Sequence, residues 1–184
     1  MNKRVIDSDI YVIEGFLSSE ECDDFITSCE GMGFERAKVN LDGRQVEMTM
    51  VRNNERVLKT DHNLANQLWL KLRTVHPTVF GNSTAVGLNE LFRFYKYSVG
   101  ERFKRHRDGS FVRNEHEFSC FTFMVYLNDD FSGGETAFEN AVITPKKGMA
   151  LVFKHERKHE GKSLIDGVKY VLRSDIMYRL KQEE

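Results

Sequence analysis

The sequence contains little cysteine and has no long apolar run. Its three cysteines, Cys22, Cys29 and Cys120, are an odd number among 184 residues and show no paired spacing. This argues against a disulfide framework and favours a reducing compartment, so we expect a cytoplasmic protein. No stretch approaches the roughly 20 apolar residues of a membrane span, and the N-terminal residues lack the apolar segment of a signal peptide.

Proline is scarce as well, and neither sign of charge is in excess. There are 2 prolines, and 27 basic residues face 28 acidic ones, for a net charge of -1. Such a chain has no global positive field, so we expect neither nucleic acid nor an anionic membrane as a partner. A local basic patch stays open, because Lys104, Arg105, Arg107 and Arg113 lie close together. No repeat or linker interrupts the chain, which predicts one domain over residues 1–184.

The first part of the chain, residues 1–87, predicts a helical flank with a substrate-side hairpin. Ser18 can cap one helix, and Asp61 can cap a second one that ends before Pro77. Loose alternation over residues 34–52 indicates a hairpin that turns at Asp42 and Gly43.

The second part, residues 88–180, has the pattern of a β-sandwich or barrel. Segments rich in aromatic and β-branched residues alternate with Gly and Asp/Asn clusters. The predicted strands are 91–97, 118–127, 141–144, 149–154 and 168–178. We therefore predict a mainly β (α+β) fold, with a double-stranded β-helix (a jelly-roll, cupin-like core) braced by N-terminal flanking helices.

One short motif indicates a metal site. In a strand, residues two apart point to the same face, so His106 and Asp108 can offer an imidazole and a carboxylate to one ion. His159 follows Asp108 by 51 residues, and Lys169 follows His159 by 10. Two histidines and one carboxylate form a facial triad that suits non-haem Fe(II) and leaves three positions open. A 2-oxo acid fills two of them, and Lys169 can supply the buried cation for its far carboxylate.

These residues resemble the prolyl 4-hydroxylase-like branch of the Fe(II)/2-oxoglutarate dioxygenases. The family pattern is H-x-D, a distal His, and a Lys ten residues beyond it, and the chain matches all four terms. Three further segments match: residues 97–103 resemble Y-x-x-G-x-x-F, residues 126–138 resemble YLN followed by GGxTxF, and residues 145–153 resemble the strand before the distal His. The resemblance covers residues 88–180 well and the first 87 only loosely.

The resemblance implies Fe(II), 2-oxoglutarate as co-substrate and O2, and it leaves ascorbate open as a further reductant. It implies that His106, Asp108 and His159 are the catalytic metal ligands. It places Tyr97 beside the metal-bound end of 2-oxoglutarate, and Tyr126 with Lys169 at its distal carboxylate. Thr136 can line the same pocket. Each tyrosine could instead be a packed aromatic of the barrel, and Thr136 a structural strand residue.

Two residues compete for these roles. His155 also lies near the distal position, but it is 14 residues from Lys169 and no Glu-Gly follows it, so His159 is favoured. Arg173 shares strand parity with Lys169 and could hold the 2-oxo acid instead, although the ten-residue spacing favours Lys169.

The substrate follows least directly from the sequence. The resemblance implies a hydroxylase of a C–H bond in a peptidyl residue, with proline as the leading prediction. A hydroxylase of a free amino acid or another small molecule is the alternative, and a non-catalytic jelly-roll or a nucleic-acid demethylase is less favoured. Arg52, Asn54 and Arg113 are candidate substrate residues. The oligomeric state does not follow from the sequence.

Overall fold

The structure, a computed structural model, describes residues 1–41 and 44–181 and contains two helices and nineteen strands in that part of the chain. The helices are α1 (Ser19–Met32) and α2 (His62–Leu72). The strands are β1 (Asn2–Asp7), β2 (Ile10–Glu14), β3 (Glu35–Arg36), β4 (Val39–Leu41), β5 (Arg44–Val46), β6 (Glu55–Thr60), β7 (Val79–Phe80), β8 (Ser83–Leu88), β9 (Leu91–Tyr97), β10 (Phe103–His106), β11 (Val112–Asn114), β12 (Glu117–Tyr126), β13 (Ser132–Gly133), β14 (Thr136–Phe138), β15 (Val142–Ile143), β16 (Ala150–Lys154), β17 (His159–Gly161), β18 (Leu164–Asp166) and β19 (Lys169–Leu180).

A large antiparallel sheet and a smaller one form the β core. The large sheet has eleven strands, eight of which follow the order β1-β2-β16-β12-β19-β9-β6-β3. The smaller sheet has the order β10-β17-β14-β15. This arrangement confirms the predicted mainly β, jelly-roll fold.

Strand β9 shows that the large sheet packs on both faces. Successive residues of a strand point to opposite sides of the sheet. On β9, Phe94 packs in the cluster that contains the helix residues Cys22 and Leu72. Its neighbour Tyr95 packs in a second cluster, which includes Phe138 of the smaller sheet. The helices therefore cover one face, and the other face is directed toward the smaller sheet and the candidate site.

Both predicted helix starts are confirmed. Ser18 caps α1 in a capping box with Glu21, and the Asp61 side chain accepts a hydrogen bond from the backbone N–H of Leu64 at the start of α2. Helix α1 ends at Met32 and is capped by Gly33, whose φ of 79° is a conformation that glycine adopts readily. No helix in residues 1–41 and 44–181 is long and apolar enough to cross a membrane.

The predicted boundary near residue 88 does not separate the sheet from the flanking segment. Strands β2, β6 and β8 all precede it, and they pair with β16, β9 and β19 in the large sheet. The sheet extends into the first half of the chain because these strands complete its hydrogen bonding on both sides. In the predicted hairpin, β4 pairs with β5, and the turn residues Asp42 and Gly43 lie outside the described residues.

Candidate metal centre and its cavity

Three side chains of the predicted metal motif meet at one point. His106 is the last residue of β10 and His159 is the first of β17, and the two are paired across these antiparallel strands. Asp108 lies two residues beyond the end of β10, and its backbone N–H donates to the carbonyl of His155. One ligand atom from each of the three residues lies within 4.8 Å of the others.

Backbone carbonyls orient both imidazoles. The Nδ1 atom of His106 lies 2.8 Å from the carbonyl oxygen of Lys104, and that of His159 lies 3.0 Å from the carbonyl oxygen of Arg157. A carbonyl only accepts hydrogen bonds, so Nδ1 carries the proton in each ring. The Nε2 lone pairs are then free to bind a metal, which is the arrangement that metal-binding histidines commonly show.

The carboxylate of Asp108 is held from two sides. Its Oδ2 atom accepts a hydrogen bond of 2.5 Å from the Thr122 hydroxyl and lies 3.2 Å from the Arg173 guanidinium. Burial alone would raise the pKa of Asp108. The charge of Arg173 and the two neighbouring imidazoles outweigh that effect and hold the pKa well below its usual range. Asp108 is therefore an anionic ligand.

The donor set fits a divalent transition metal. Burial lowers the pKa of His159 to about 4, against the opposing charge of Asp108, so this imidazole is neutral at physiological pH. Two neutral imidazole nitrogens and one carboxylate oxygen are the donors of the facial triad of non-haem Fe(II) proteins.

The cluster opens into a cavity of about 640 Å³. The charged side chains in its wall are mostly basic, and the carboxylates among the lining residues are Asp108 and Asp175. The basic lining residues are Lys38, Arg52, Arg56, Arg93, Arg107, Lys169 and Arg173.

Lys169 is a buried cation in that wall. It begins β19 opposite Tyr97, is 3% exposed, and donates a hydrogen bond to the carbonyl of Gly134. Among residues 1–41 and 44–181, no carboxylate lies within ion-pair distance of its Nζ atom. A buried ammonium without a counter-charge is costly, so the site fits a ligand carboxylate there.

The three other predicted co-substrate residues surround Lys169. Its Nζ atom lies 5.1 Å from the ring centre of Tyr97 and 5.4 Å from that of Tyr126. Tyr97 and Thr136 line the cavity. The Tyr126 hydroxyl lies 2.7 Å from the Thr136 hydroxyl, so this tyrosine is placed behind Thr136.

The predicted substrate residues have different positions. Arg52 lines the cavity, with its guanidinium 4.2 Å from the ring centre of Tyr95. Asn54 is fully buried behind it and accepts a 2.7 Å hydrogen bond from Arg52 Nε. Arg113 is not among the cavity residues, so the cavity does not support its prediction as a substrate residue. It pairs with Glu90 and Glu117 because β11 folds back along β12.

The two competing residues support the centre from behind. His155 bonds to the hydroxyls of Ser119 and Thr122 at 2.9 and 3.0 Å. Arg173 pairs with Asp108 and lies 3.1 Å from Asp175. Strand parity indicates this role, since Arg173 and Asp175 share a face of β19 with Lys169. Thr122 was missed, although it shares a face of β12 with Tyr126.

The fold and the centre together define a jelly-roll metalloprotein with a facial His-Asp-His site. Residues 92–174 match the model of the 2OG-Fe(II) oxygenase superfamily. The matched segment contains the whole centre and Lys169, and the enzymes of that superfamily use Fe(II), 2-oxoglutarate and O2. A search of curated protein sequences gives no match.

Solved structures share the fold. A viral collagen prolyl hydroxylase from Paramecium Bursaria Chlorella virus-1 is 20% identical with a TM-score of 0.66, over 94% of this chain and 97% of that one. A Pseudomonas putida prolyl-4-hydroxylase is 15% identical with a TM-score of 0.65, over 95% and 94%. A Trichoplax adhaerens prolyl hydroxylase, in complex with a hypoxia inducible factor peptide fragment, is 20% identical with a TM-score of 0.70, over 91% and 83%. At these identities the likeness shows the fold.

Lys169 gives the metal-free protein a specific pH dependence. Burial lowers the pKa of its ammonium to about 7, although Glu135 opposes this, whereas the ordinary value is 10.5. Between these pH values the unfolded chain binds a proton that the folded protein lacks, so the free energy of unfolding rises with pH. We compare the free energy of unfolding of the wild type with that of Lys169→Met. The difference should rise in favour of the wild type from about pH 7 to about pH 10 and should stay constant below pH 7. Urea unfolding across this range measures the difference, and a flat difference would contradict the buried, unpaired ammonium.

Arg173→Gln tests how Asp108 is held. Partners behind a metal ligand typically contribute about 10- to 100-fold in affinity, so we expect Fe(II) to bind that much more weakly. The KM for 2-oxoglutarate at saturating Fe(II) should not change, because the predicted partner of the co-substrate carboxylate is Lys169. Metal titration and succinate release measure the two quantities. A raised KM with unchanged metal affinity would instead give Arg173 the co-substrate role.

Proposed function

We propose that this chain is a hydroxylase of peptidyl proline that uses Fe(II) and 2-oxoglutarate. The observation that carries the oxygenase activity is that the His106, Asp108 and His159 cluster and the unpaired Lys169 face one cavity. The overall reaction converts R–H, 2-oxoglutarate and O2 into R–OH, succinate and CO2.

The chain's own residues supply binding and orientation. His106, Asp108 and His159 hold the iron, which supplies the oxygen activation when it is bound. Lys169 and the hydroxyl of Thr136 receive the distal carboxylate of 2-oxoglutarate, and Tyr126 orients Thr136. Tyr97 packs against the ammonium at that end of the cavity. Arg52 also lines the cavity, and we assign it to the substrate.

The similar folds support a peptidyl substrate. Prolyl hydroxylases recur among them, and one of these is bound to a peptide fragment. The cavity of about 640 Å³ leaves room for a substrate side chain beside a five-carbon dicarboxylate.

Succinate release with a panel of prolyl peptides tests this proposal. We expect at least one peptide to raise turnover above the substrate-free background and to gain one oxygen at proline. Peptides with alanine in place of proline are the matched controls. If no prolyl peptide raised turnover, the proline assignment would fail. A screen of free amino acids for the same mass gain would then test the small-molecule alternative.

A further inference from the structure

Arg52 is a second buried cation of the cavity, and its bonding is incomplete. It is 6% exposed, and its guanidinium lies between the rings of Tyr95 and Phe103, at 4.2 and 4.4 Å from their centres. Its Nε atom donates to the neutral Asn54 amide, and its buried Nη2 atom has no hydrogen-bond partner. Among residues 1–41 and 44–181, no carboxylate lies within ion-pair distance of it. A buried donor in this state is costly unless a ligand satisfies it.

Two more guanidiniums belong to the same end of the cavity. Arg93 and Arg173 are paired across β9 and β19, and they share the carboxylate of Asp175 at 3.2 and 3.1 Å. Burial would raise the pKa of Tyr95, but Arg52, Arg173 and Arg93 lower it to about 8, which reflects the positive potential there.

The metal and the co-substrate do not neutralise the positive charge at this end of the cavity. A divalent metal and the dianion of 2-oxoglutarate would form a neutral set with Asp108 and Lys169. Arg52, Arg93 and Arg173 then face Asp175 as the remaining lining carboxylate, so net positive charge persists in the loaded enzyme.

The co-substrate cannot serve both ends. Tyr97 is paired with Lys169, and Arg93 lies four residues away along the same strand, about 13 Å at the usual rise of a strand. With its distal carboxylate at Lys169 and its other end at the metal, 2-oxoglutarate does not span the distance to Arg93. The Nη2 atom of Arg52, and Arg93, which shares Asp175 with Arg173, are therefore available to the substrate.

We propose that the substrate carries an anionic oxygen group, a carboxylate or a phosphate, that Arg52 and Arg93 bind beside the metal. Guanidinium groups suit this role because their paired N–H donors match the oxygens of both anions. The inference rests on the proposed function in assigning the anion to a prolyl peptide. The group then lies close to the proline, as an acidic or phosphorylated neighbour, and fixes which carbon faces the metal.

Matched peptides test the inference in the enzyme loaded with Mn(II) and 2-oxoglutarate under anaerobic conditions. Each pair is acetylated, amidated and differs at one position beside proline: aspartate against asparagine, or phosphoserine against serine. Calorimetry should show about tenfold or tighter binding for the anionic member of at least one pair, as expected for a charged hydrogen bond. The preferred pair identifies carboxylate or phosphate.

Variants assign the preference to this cluster. Arg52→Gln should abolish it, Arg52→Lys should retain part of it, and Arg4→Gln, an exposed arginine of β1, should leave it unchanged. Circular dichroism and Mn(II) affinity check that each variant is folded, and Arg93→Gln replaces Arg52→Gln if the latter does not fold. Equal affinity within both pairs, or a preference that survives both glutamine variants, would overturn the inference.

Acetate and methyl phosphate separate this inference from the proposed function. If either anion binds the loaded wild type and binds Arg52→Gln at least about tenfold more weakly, the anion site stands even when no prolyl peptide binds. If prolyl peptides are hydroxylated without a charge preference, the function stands and the inference fails. If neither anion nor any peptide binds, the inference is overturned.

Discussion

Asp108→Ala is expected to bind Fe(II) at least about 100-fold more weakly than the wild type and to release no succinate. Loss of a partner behind a metal ligand alone costs about 10- to 100-fold, and the ligand itself contributes more. The variant also removes the anion that Arg173 and Thr122 hold in place. His106→Ala should behave in the same way, because a facial triad has no spare protein ligand.

Metal titration and succinate release at saturating 2-oxoglutarate measure this effect. His62→Ala is the matched control, since the side chain of His62 is 78% exposed and belongs to α2. Circular dichroism establishes that each variant is folded. A folded Asp108→Ala protein with wild-type affinity for Fe(II) would show that the metal binds elsewhere.

The second large effect is expected at the far end of the cavity. Lys169→Ala should raise the KM for 2-oxoglutarate by about tenfold or more, since a buried hydrogen bond between charged groups contributes roughly 1.5–3 kcal/mol. Fe(II) affinity without 2-oxoglutarate should change little, because Lys169 makes no ion pair with Asp108.

Steady-state succinate release against 2-oxoglutarate concentration measures that KM. Lys162→Ala is the control, because Lys162 is an exposed lysine of the same part of the chain. An unchanged KM in Lys169→Ala would contradict the co-substrate role of this lysine and would favour the alternative, Arg173.

The spacing of the motif and the family resemblance together were sufficient to predict the centre. Two-residue periodicity places His106 and Asp108 together, and the resemblance adds His159 and Lys169 from strands far along the chain. Ser18 and Asp61 likewise predicted both helix starts, because a cap depends on residues within one turn.

Features that depend on pairing between distant strands could not be predicted in this way. Strand β6 reads as a mixed polar segment, and it becomes part of the sheet through its pairing with β9. Arg113 and Arg52 were both predicted as substrate residues. The fold directs Arg113 to Glu90 and Glu117, whereas it buries Arg52 in the cavity. The cytoplasmic location and the extent of the domain stay predictions.

The most direct test of the metal centre is a crystal structure of the anaerobic complex with Fe(II) and 2-oxoglutarate, measured at the iron absorption edge. We expect one anomalous peak within coordination distance of the Nε2 atoms of His106 and His159 and of a carboxylate oxygen of Asp108. The far carboxylate of 2-oxoglutarate should lie within hydrogen-bond distance of Lys169. An iron peak elsewhere, or a co-substrate directed away from Lys169, would contradict the assignment of these four residues.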